Sequence, residues 1–254
     1  MTGYGAFVKK EFMEFYRSHK LLIILAVFLL LGMMNPLTAK ITPQLVENFM
    51  PEGMIVNLGE PTAFDSWMQF YKNVPQLGLV VLVILFSGMM SQEYSKGTLI
   101  NMLTKGLARR SVILSKLTVA LVMWTAAYVI CTGISWAYTA YFWKGEILHD
   151  LFSAAVLVWI YGILLLAVGL FGSVLCKNAY GNLLITGGFV GVQFLLNIIP
   201  DAIKYNPLAL VSRNMELIEG SLKFEELLFP IAVSAGLAIA FVIAACAVFN
   251  RKTL

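Results

Sequence analysis

Six long apolar runs, none containing Asp, Glu, Lys, Arg or His, constrain this chain more than any other feature of its sequence. A helix needs about 20 mostly apolar residues to cross a bilayer, and in lipid only helices and closed barrels satisfy their own backbone hydrogen bonds. A composition of 59% hydrophobic and 13% charged residues also favours a membrane protein. We predict an all-α polytopic fold in a single domain over residues 1–254, with six spans at about 21–39, 74–91, 117–142, 151–176, 182–199 and 227–249.

The distribution of charge predicts the orientation of these spans. Six spans place both termini on one side, together with residues 92–116, which follow the second run. Twelve of the eighteen Lys and Arg fall on this side, and eleven of the fourteen Asp and Glu fall on the other. Because cytoplasmic loops are enriched in Lys and Arg, we predict a multi-pass protein of the cell membrane with both termini in the cytoplasm.

The N-terminal segment, residues 3–19, is amphipathic at helical spacing. Phe12, Phe15 and Tyr16 share one arc, whereas Arg17 lies on the opposite one. We predict an interfacial elbow helix in which these four side chains contact membrane lipids. The alternative is a basic flank that only sets the topology of the first span.

The two longest connections on the opposite, outer side are residues 40–73 and 200–226, and the second is predicted to rest at the outer interface or to dip partly into the membrane. The aromatic residues of 64–71 indicate an interfacial aromatic belt that leads into the second span. Pro200, Pro207 and Gly220 divide the outer segment 200–226 into short helical pieces.

The sequence argues against chemistry carried out by the chain itself. The apolar runs offer no ionisable group for a proton relay, and no G-x-x-x-x-G-K-[ST] phosphate-binding loop is present. Cys131, Cys176 and Cys246 lie in or beside apolar runs without a nearby His and are interpreted as packing residues. We predict no catalytic residue, no metal and no cofactor bound by this chain, and the empty runs argue against an intramembrane enzyme. A separate subunit must then power any uphill transport.

Residues 92–116 form a polar segment that carries five of the eighteen Lys and Arg. Thr98 is suited to cap a helix whose Leu99, Met102 and Leu103 form an apolar ridge at i, i+3 and i+4. Such a ridge fits a groove on a soluble partner, whereas a solvated basic loop that only sets topology is the alternative. The basic side chains towards the end of the segment are predicted to meet anionic lipid headgroups, and they are Arg109, Arg110 and Lys116.

This segment resembles the region after the second span of ATP-binding-cassette type-2 permeases. The resemblance rests on a glutamate, a Gly-Thr-Leu step, a further leucine, an arginine and a lysine, at Glu93, Gly97, Thr98, Leu99, Leu103, Arg109 and Lys116. The family usually has a proline three residues before the arginine, where this chain has Gly106. The resemblance extends over essentially the whole chain, from the N-terminal helix to the outer segment before the last span.

The resemblance implies a coupling helix that docks on a cytosolic ATPase subunit. The implied ATPase-coupling residues are Glu93, Gly97, Thr98, Leu99, Met102, Leu103 and Arg109. It also implies two ATPase subunits, which bind ATP and Mg, and two permease subunits that form a homodimer or a heterodimer. In the family the first and fifth spans meet across the subunit interface, so Gly187 and Gly191 are candidates for that interface. Packing within one subunit is the alternative for this glycine pair.

We therefore expect the transmembrane permease subunit of an ATP-driven transporter. Apolar span walls suit an exporter of a hydrophobic or amphipathic substrate, such as a peptide, a lipid-like molecule or a drug. Membrane lipids are expected partners, and nucleic acid is not. The alternative is a non-transporting membrane anchor or sensor that recruits a cytosolic partner, and nucleotide-driven flux would distinguish the two.

Overall fold

The computed structural model describes residues 3–49, 59–97, 106, 108–146, 148–176 and 178–252, and every regular element in these residues is a helix. The chain begins with helix α1, Gly3–Arg17. Six helical segments, numbered span 1 to span 6, are long and apolar enough to cross a membrane, and they are Lys20–Glu47, Ala63–Phe86, Arg109–Phe142, Leu151–Leu175, Ala179–Leu196 and Phe224–Arg251. The prediction of an all-helical protein with six spans is confirmed.

The first two spans extend further into the connection between them than the apolar runs suggested. The helix of span 1 continues from Lys20 to Phe49. Span 2 begins at Ala63 rather than near residue 74, because the Thr62 side chain and Asp65 form a capping box at its start.

The aromatic residues of this added helical length lie in the protein core rather than in an interfacial belt. Trp67, Phe70 and Tyr71 are all buried. The rings of Trp67 and Phe70 lie 5.1 Å apart, and the Phe70 ring lies 6.3 Å from that of Tyr128 in span 3. The belt prediction is therefore wrong, because these rings pack against one another and against span 3 instead of facing the membrane boundary.

Span 2 is interrupted by a π-helical turn at Val74–Gly78, between the α-helices Ala63–Asn73 and Leu79–Phe86. Pro75 is the second residue of this turn, and because it has no N–H, one hydrogen bond to the preceding helical turn is missing here. π-Turns of this kind are frequent at functional sites.

Span 4 lies at the centre of the bundle. In its most apolar stretch 61% of residues are buried by the rest of the chain, against 11% in span 6. Trp124 of span 3 donates from Nε1 to the Trp159 carbonyl of span 4 at 3.1 Å, and Tyr128 donates to the Ala155 carbonyl at 2.9 Å. Such close packing and interhelical hydrogen bonds hold helices together in a medium where the hydrophobic effect between them is lost.

Both termini lie at the same end of the bundle, as six spans require. Lys252, after span 6, donates from Nζ to the Val174 carbonyl at the end of span 4 at 2.6 Å. At the opposite end, the Ala63 amide donates to Glu146 Oε2 at 2.7 Å and so joins the start of span 2 to the residues after span 3. We call these the termini end and the opposite end.

The segment between spans 5 and 6 covers the opposite end of span 4. It contains short helices at Pro200–Ile203, Ala209–Ser212 and Asn214–Ile218, followed by a 3₁₀ turn at Phe224–Leu227. Asn206 fixes the segment to span 5, because its Nδ2 donates to the Gln193 carbonyl at 2.7 Å.

Candidate functional site

Four charged side chains form a closed ring at the termini end. Lys10 Nζ lies 2.9 Å from Glu11 Oε1 and 2.7 Å from Glu93 Oε1. Lys116 Nζ lies 2.9 Å from Glu11 Oε2 and 3.2 Å from Glu93 Oε2, the last contact being ionic without hydrogen-bond geometry. Each glutamate offers one oxygen to each lysine, and each lysine contacts both glutamates. We call Lys10, Glu11, Glu93 and Lys116 the ion ring.

The ion ring joins three segments that are far apart in sequence. Lys10 and Glu11 belong to α1, and Glu93 belongs to the short helix Ser91–Lys96 that follows span 2. Lys116 lies near the start of span 3. The ring therefore fixes the N-terminal helix, the beginning of the polar segment and the third span relative to one another.

The ring is largely shielded from water. The exposed fraction of the side chain is 3% for Glu93 and 5% for Lys116. Burial raises the pKa of Glu93 above its ordinary value, although the neighbouring Lys116 and Lys10 lower it. Removing one partner from such a buried pair leaves the other charge unpaired, which typically destabilises a protein by about 3–5 kcal/mol.

Lys10 is also bound to a third glutamate. Its Nζ lies 2.8 Å from Glu14 Oε2. Burial by itself lowers the pKa of Lys10, but hydrogen bonds to Glu14 and Glu93 and the charge of Glu11 raise it above its ordinary value. The Lys10 ammonium therefore stays charged throughout the physiological range.

The three carboxylates of this region are spaced as cation ligands could be. Oxygens of Glu11, Glu14 and Glu93 lie within 4.8 Å of one another. The Lys10 ammonium, however, lies within 2.9 Å of an oxygen of each. A lysine thus already provides the positive charge among these glutamates.

Arg109, at the start of span 3, binds the end of span 6. Its Nη1 donates to the carbonyls of Phe249 at 2.8 Å and Lys252 at 2.6 Å. The last carbonyls of a helix have no partner within the helix and attract cations, so Arg109 acts as a C-terminal cap. Lys252 also lies over the Tyr94 ring, with its Nζ 4.8 Å from the ring centroid.

The predicted ATPase-coupling residues are placed only in part. Glu93 belongs to the ion ring and Arg109 caps span 6, while Gly97 ends the short helix Ser91–Lys96 with a left-handed φ of 63°. The other predicted residues lie outside the described part of the chain, and they are Thr98, Leu99, Met102 and Leu103. The coupling role of this set stays a prediction.

The predicted membrane-interface residues on α1 separate into two groups. Phe12 and Tyr16 are exposed, with 44% and 66% of their surface uncovered by the chain, and Arg17 is exposed in the last turn. Phe15 instead lies in the core, where its ring stacks on that of Phe86 with 5.2 Å between centroids. One side of α1 therefore packs on the end of span 2, and the other side is exposed. Contact of the exposed side with lipid stays a prediction.

Gly187 and Gly191 lie on a side of span 5 that the described chain leaves uncovered. A Cβ added at either position would meet no atom of the described residues within 4 Å, apart from its own stretch of helix. Leu184 and Leu195 share this side and are 78% and 66% exposed. Within the described residues the glycine pair therefore makes no close packing contact with another span.

An apolar groove of about 480 Å³ lies between spans 2 and 5, and Gly187 is at its border. Its wall is built mainly from aliphatic side chains, among them Leu79, Val83 and Val190. Three polar side chains also line it, and they are Gln76, Tyr161 and Thr186.

A buried hydrogen bond backs this groove. The Tyr161 hydroxyl donates to Gln193 Oε1 at 2.8 Å, and Gln193 Nε2 has no hydrogen-bond partner among the described residues. The π-turn residue Pro75 also lines the groove, so the irregular part of span 2 faces span 5.

The sequence did not reveal the ion ring. Lys116 was predicted to meet lipid headgroups, but it is buried between Glu11 and Glu93. One signal was available: Glu11 lies at the edge of the polar arc of α1, where a carboxylate needs a cation on a neighbouring element. Which cation it meets depends on how α1 crosses spans 2 and 3, and a helical pattern does not specify that crossing.

The six helical spans and the amphipathic N-terminal helix define an integral membrane protein. A model of the family described as ABC-2 family transporter protein matches residues 6–254. The chain belongs to this family. It is also similar to a Bacillus subtilis (strain 168) protein named uncharacterized transmembrane protein YxlG, with 20% identity over 205 residues, which cover 80% of each chain.

Membership of this family makes the chain a multi-pass membrane protein and a transporter permease subunit. Such permeases normally work with an ATP-binding-cassette ATPase, and the family implies a transmembrane subunit that is not itself the catalytic one. The predicted resemblance to type-2 permeases is confirmed.

Proposed function

We propose that this chain is the permease subunit of an ATP-driven exporter of hydrophobic or amphipathic compounds. The observation that carries the proposal is the apolar groove between spans 2 and 5, which borders the uncovered glycine side of span 5. In a pair of permease subunits, identical or different, this groove would open towards the subunit interface. A second groove of about 520 Å³, between spans 3 and 4, has no wall residue from span 5.

The chemistry of the groove supports the class of cargo. Binding sites for small molecules are mostly apolar, with a few polar groups that fix the orientation of the ligand. Here the polar groups are Gln76, Tyr161 and Thr186 within an aliphatic wall. A cargo with a large apolar body and a small hydrogen-bonding group, such as a lipid-like molecule, a hydrophobic drug or an amphipathic peptide, fits this arrangement.

Energy would enter at the termini end, which positive-inside reasoning places in the cytoplasm together with both termini. Two copies of a cytosolic ATPase subunit, each with ATP and Mg, would contact the segment between Gly97 and Arg109. The neighbours of this segment are firmly held, because Glu93 belongs to the ion ring and Arg109 caps span 6. A movement of this segment would therefore act on residues that are fixed to the spans.

Flux measurements in proteoliposomes test the proposed path. Proteoliposomes that contain the permease and its ATPase are tested with three probes in turn. The probes are a short-chain fluorescent phospholipid, a lipophilic cationic dye and an amphipathic helical peptide. Val190→Trp should lower ATP-driven flux about fivefold or more, because the indole occupies the space that the cargo would take, and a fivefold change corresponds to about 1 kcal/mol of lost binding. Val192→Trp is the matched control, because Val192 is on the same helix, is 55% exposed and does not line the groove. Equal flux in the two variants would contradict the proposed path.

The contact with the ATPase is tested separately. Changing Leu99, Met102 and Leu103 together to Asp should release the ATPase subunit during purification, because charges replace the predicted apolar ridge. If the ATPase stays bound and active in this triple variant, the proposed contact is contradicted. A wild-type permease that binds the ATPase but transports none of the three probes would instead support the alternative, a membrane anchor or sensor.

A further inference from the structure

We propose that the ion ring is the joint that carries movement of the ATPase-contact segment into α1 and span 3. Lys10, Glu11, Glu93 and Lys116 would be positioning residues, since they would touch neither cargo nor nucleotide. The inference rests on the proposed function. It adds the route by which movement of the ATPase-contact segment reaches α1, span 2 and span 3.

The route starts at Glu93. This residue lies in the short helix Ser91–Lys96, which ends at Gly97 directly before the segment that contains the predicted ATPase contacts. The helix is linked covalently to span 2 on one side and to the contact segment on the other. The Glu93 side chain adds a lateral link to Lys10 and Lys116, at 2.7 Å and 3.2 Å. A displacement of the contact segment therefore acts on α1 and span 3 as well as on span 2.

The closed arrangement makes this link stiff. Glu11 and Glu93 each use both carboxylate oxygens on two different lysines, so a shift that lengthens one contact disturbs the other. Glu93 and Lys116 are nearly fully buried, and a break would leave a charge without a partner in a poorly hydrated place. Buried networks of this kind move between discrete arrangements rather than deforming gradually.

Two further contacts tie α1 to the same spans. The Tyr4 hydroxyl lies 2.8 Å from Thr118 Oγ1 in span 3, and Phe15 stacks on Phe86 at the end of span 2. A turn at Ser18 and His19, where His19 has a φ of 58°, then connects α1 to span 1. Movement delivered to α1 through the ring thus reaches span 1 as well.

A further cation lies beside the ring. A cavity of about 50 Å³ lies beside it, lined by Glu11, Glu14, Lys20 and Lys116 among others. Lys20 therefore places a further cation beside Glu11 and Glu14.

The test compares hydrogen–deuterium exchange of the assembled complex with and without a trapped nucleotide, which requires no knowledge of the cargo. In the wild-type complex, nucleotide should change exchange at residues 91–97, 3–17 and 109–120 together. In the double variant Glu93→Gln with Lys116→Met, one anion and one cation are removed, so the net charge is kept. The change at 91–97 should persist, whereas the change at 3–17 should fall by roughly tenfold, within the range of coupling between linked sites.

Neighbouring lysines on α1 supply the matched control. Lys10→Met opens the ring, whereas Lys9→Met alters an exposed lysine outside it. Lys9→Met should behave as wild type, and Lys116→Arg should keep the transmitted change because it preserves the cation and its donors.

The outcomes separate the two proposals. One outcome is that backbone amides exchange faster in the ring variants while nucleotide still changes the exchange of α1 as it does in the wild type. In that case the ring has a structural role only, and the inference is overturned. A wild-type response confined to 91–97 overturns it too, while leaving ATPase docking intact. A wild-type chain that binds no ATPase overturns the proposed function, and the inference with it.

Discussion

Glycines in two neighbouring spans have opposite surroundings. A Cβ at Gly162 of span 4 would lie 2.4 Å from the Trp124 ring, and one at Gly172 would lie 2.4 Å from Asn182 Oδ1. At Gly187 and Gly191 of span 5, a Cβ would meet no described atom within 4 Å beyond the local helix. Span 4 uses its glycines to bring helices of this chain together. Span 5 keeps its glycine side uncovered, as a second subunit at that side would require.

The largest expected effect is at Gly162. Gly162→Ala forces the buried Trp124 ring to move, and Trp124 also donates a hydrogen bond to the Trp159 carbonyl. We expect a loss of about 2–3 kcal/mol in the free energy of unfolding, as for other overpacked interiors. Thermal unfolding of the purified permease in detergent measures it.

Gly236→Ala is the control for this change, because a Cβ there meets no described atom within 4 Å outside its own helix. Similar melting temperatures for Gly162→Ala and Gly236→Ala would show that the close approach in span 4 does not limit stability.

A smaller loss is expected at Gly172. Gly172→Ala pushes against the Asn182 side chain, which can rotate, but Asn182 Nδ2 would then lose its 2.7 Å hydrogen bond to the Ser87 carbonyl. The expected cost is about 1–2 kcal/mol, the typical penalty for a buried polar group left unpaired. Asn182→Ala in the Gly172→Ala background should add little further loss. A full additional loss in the double variant would mean that the two side chains act independently.

Hydropathy predicted the number and order of the spans correctly but not all of their ends. Apolar length identifies a span, and both termini lie at one end as expected. The start of span 2 was missed because Asp65 and Lys72 make residues 63–73 look like a polar loop, whereas Thr62 and Asp65 cap a helix there. Capping chemistry, rather than hydropathy, sets that boundary.

The candidate site was predictable only where it depends on local sequence. Glu93 and Arg109 were selected from a pattern, and both have specific contacts at the termini end. Their partners come from α1, span 3 and span 6, and no local pattern indicates such long-range pairs. The glycine spacing in span 5 selected Gly187 and Gly191, whereas the closest approaches occur at Gly162 and Gly172 of span 4. Spacing identifies a side of a helix that permits close contact, and tertiary packing decides whether contact is made.

The smallest effect on the stability of the single chain is expected at Gly191. Gly191→Leu adds a large side chain to an uncovered surface, so the free energy of unfolding should change by less than about 0.5 kcal/mol. If this side meets a second permease subunit, the same change should lower the paired fraction strongly, because small residues allow helices to approach closely. Native mass spectrometry of the detergent-solubilised protein measures that fraction, with Gly236→Leu as the matched control. An unchanged paired fraction would remove Gly191 from the interface, and destabilisation equal to that of Gly162→Ala would show that span 5 is packed as tightly as span 4.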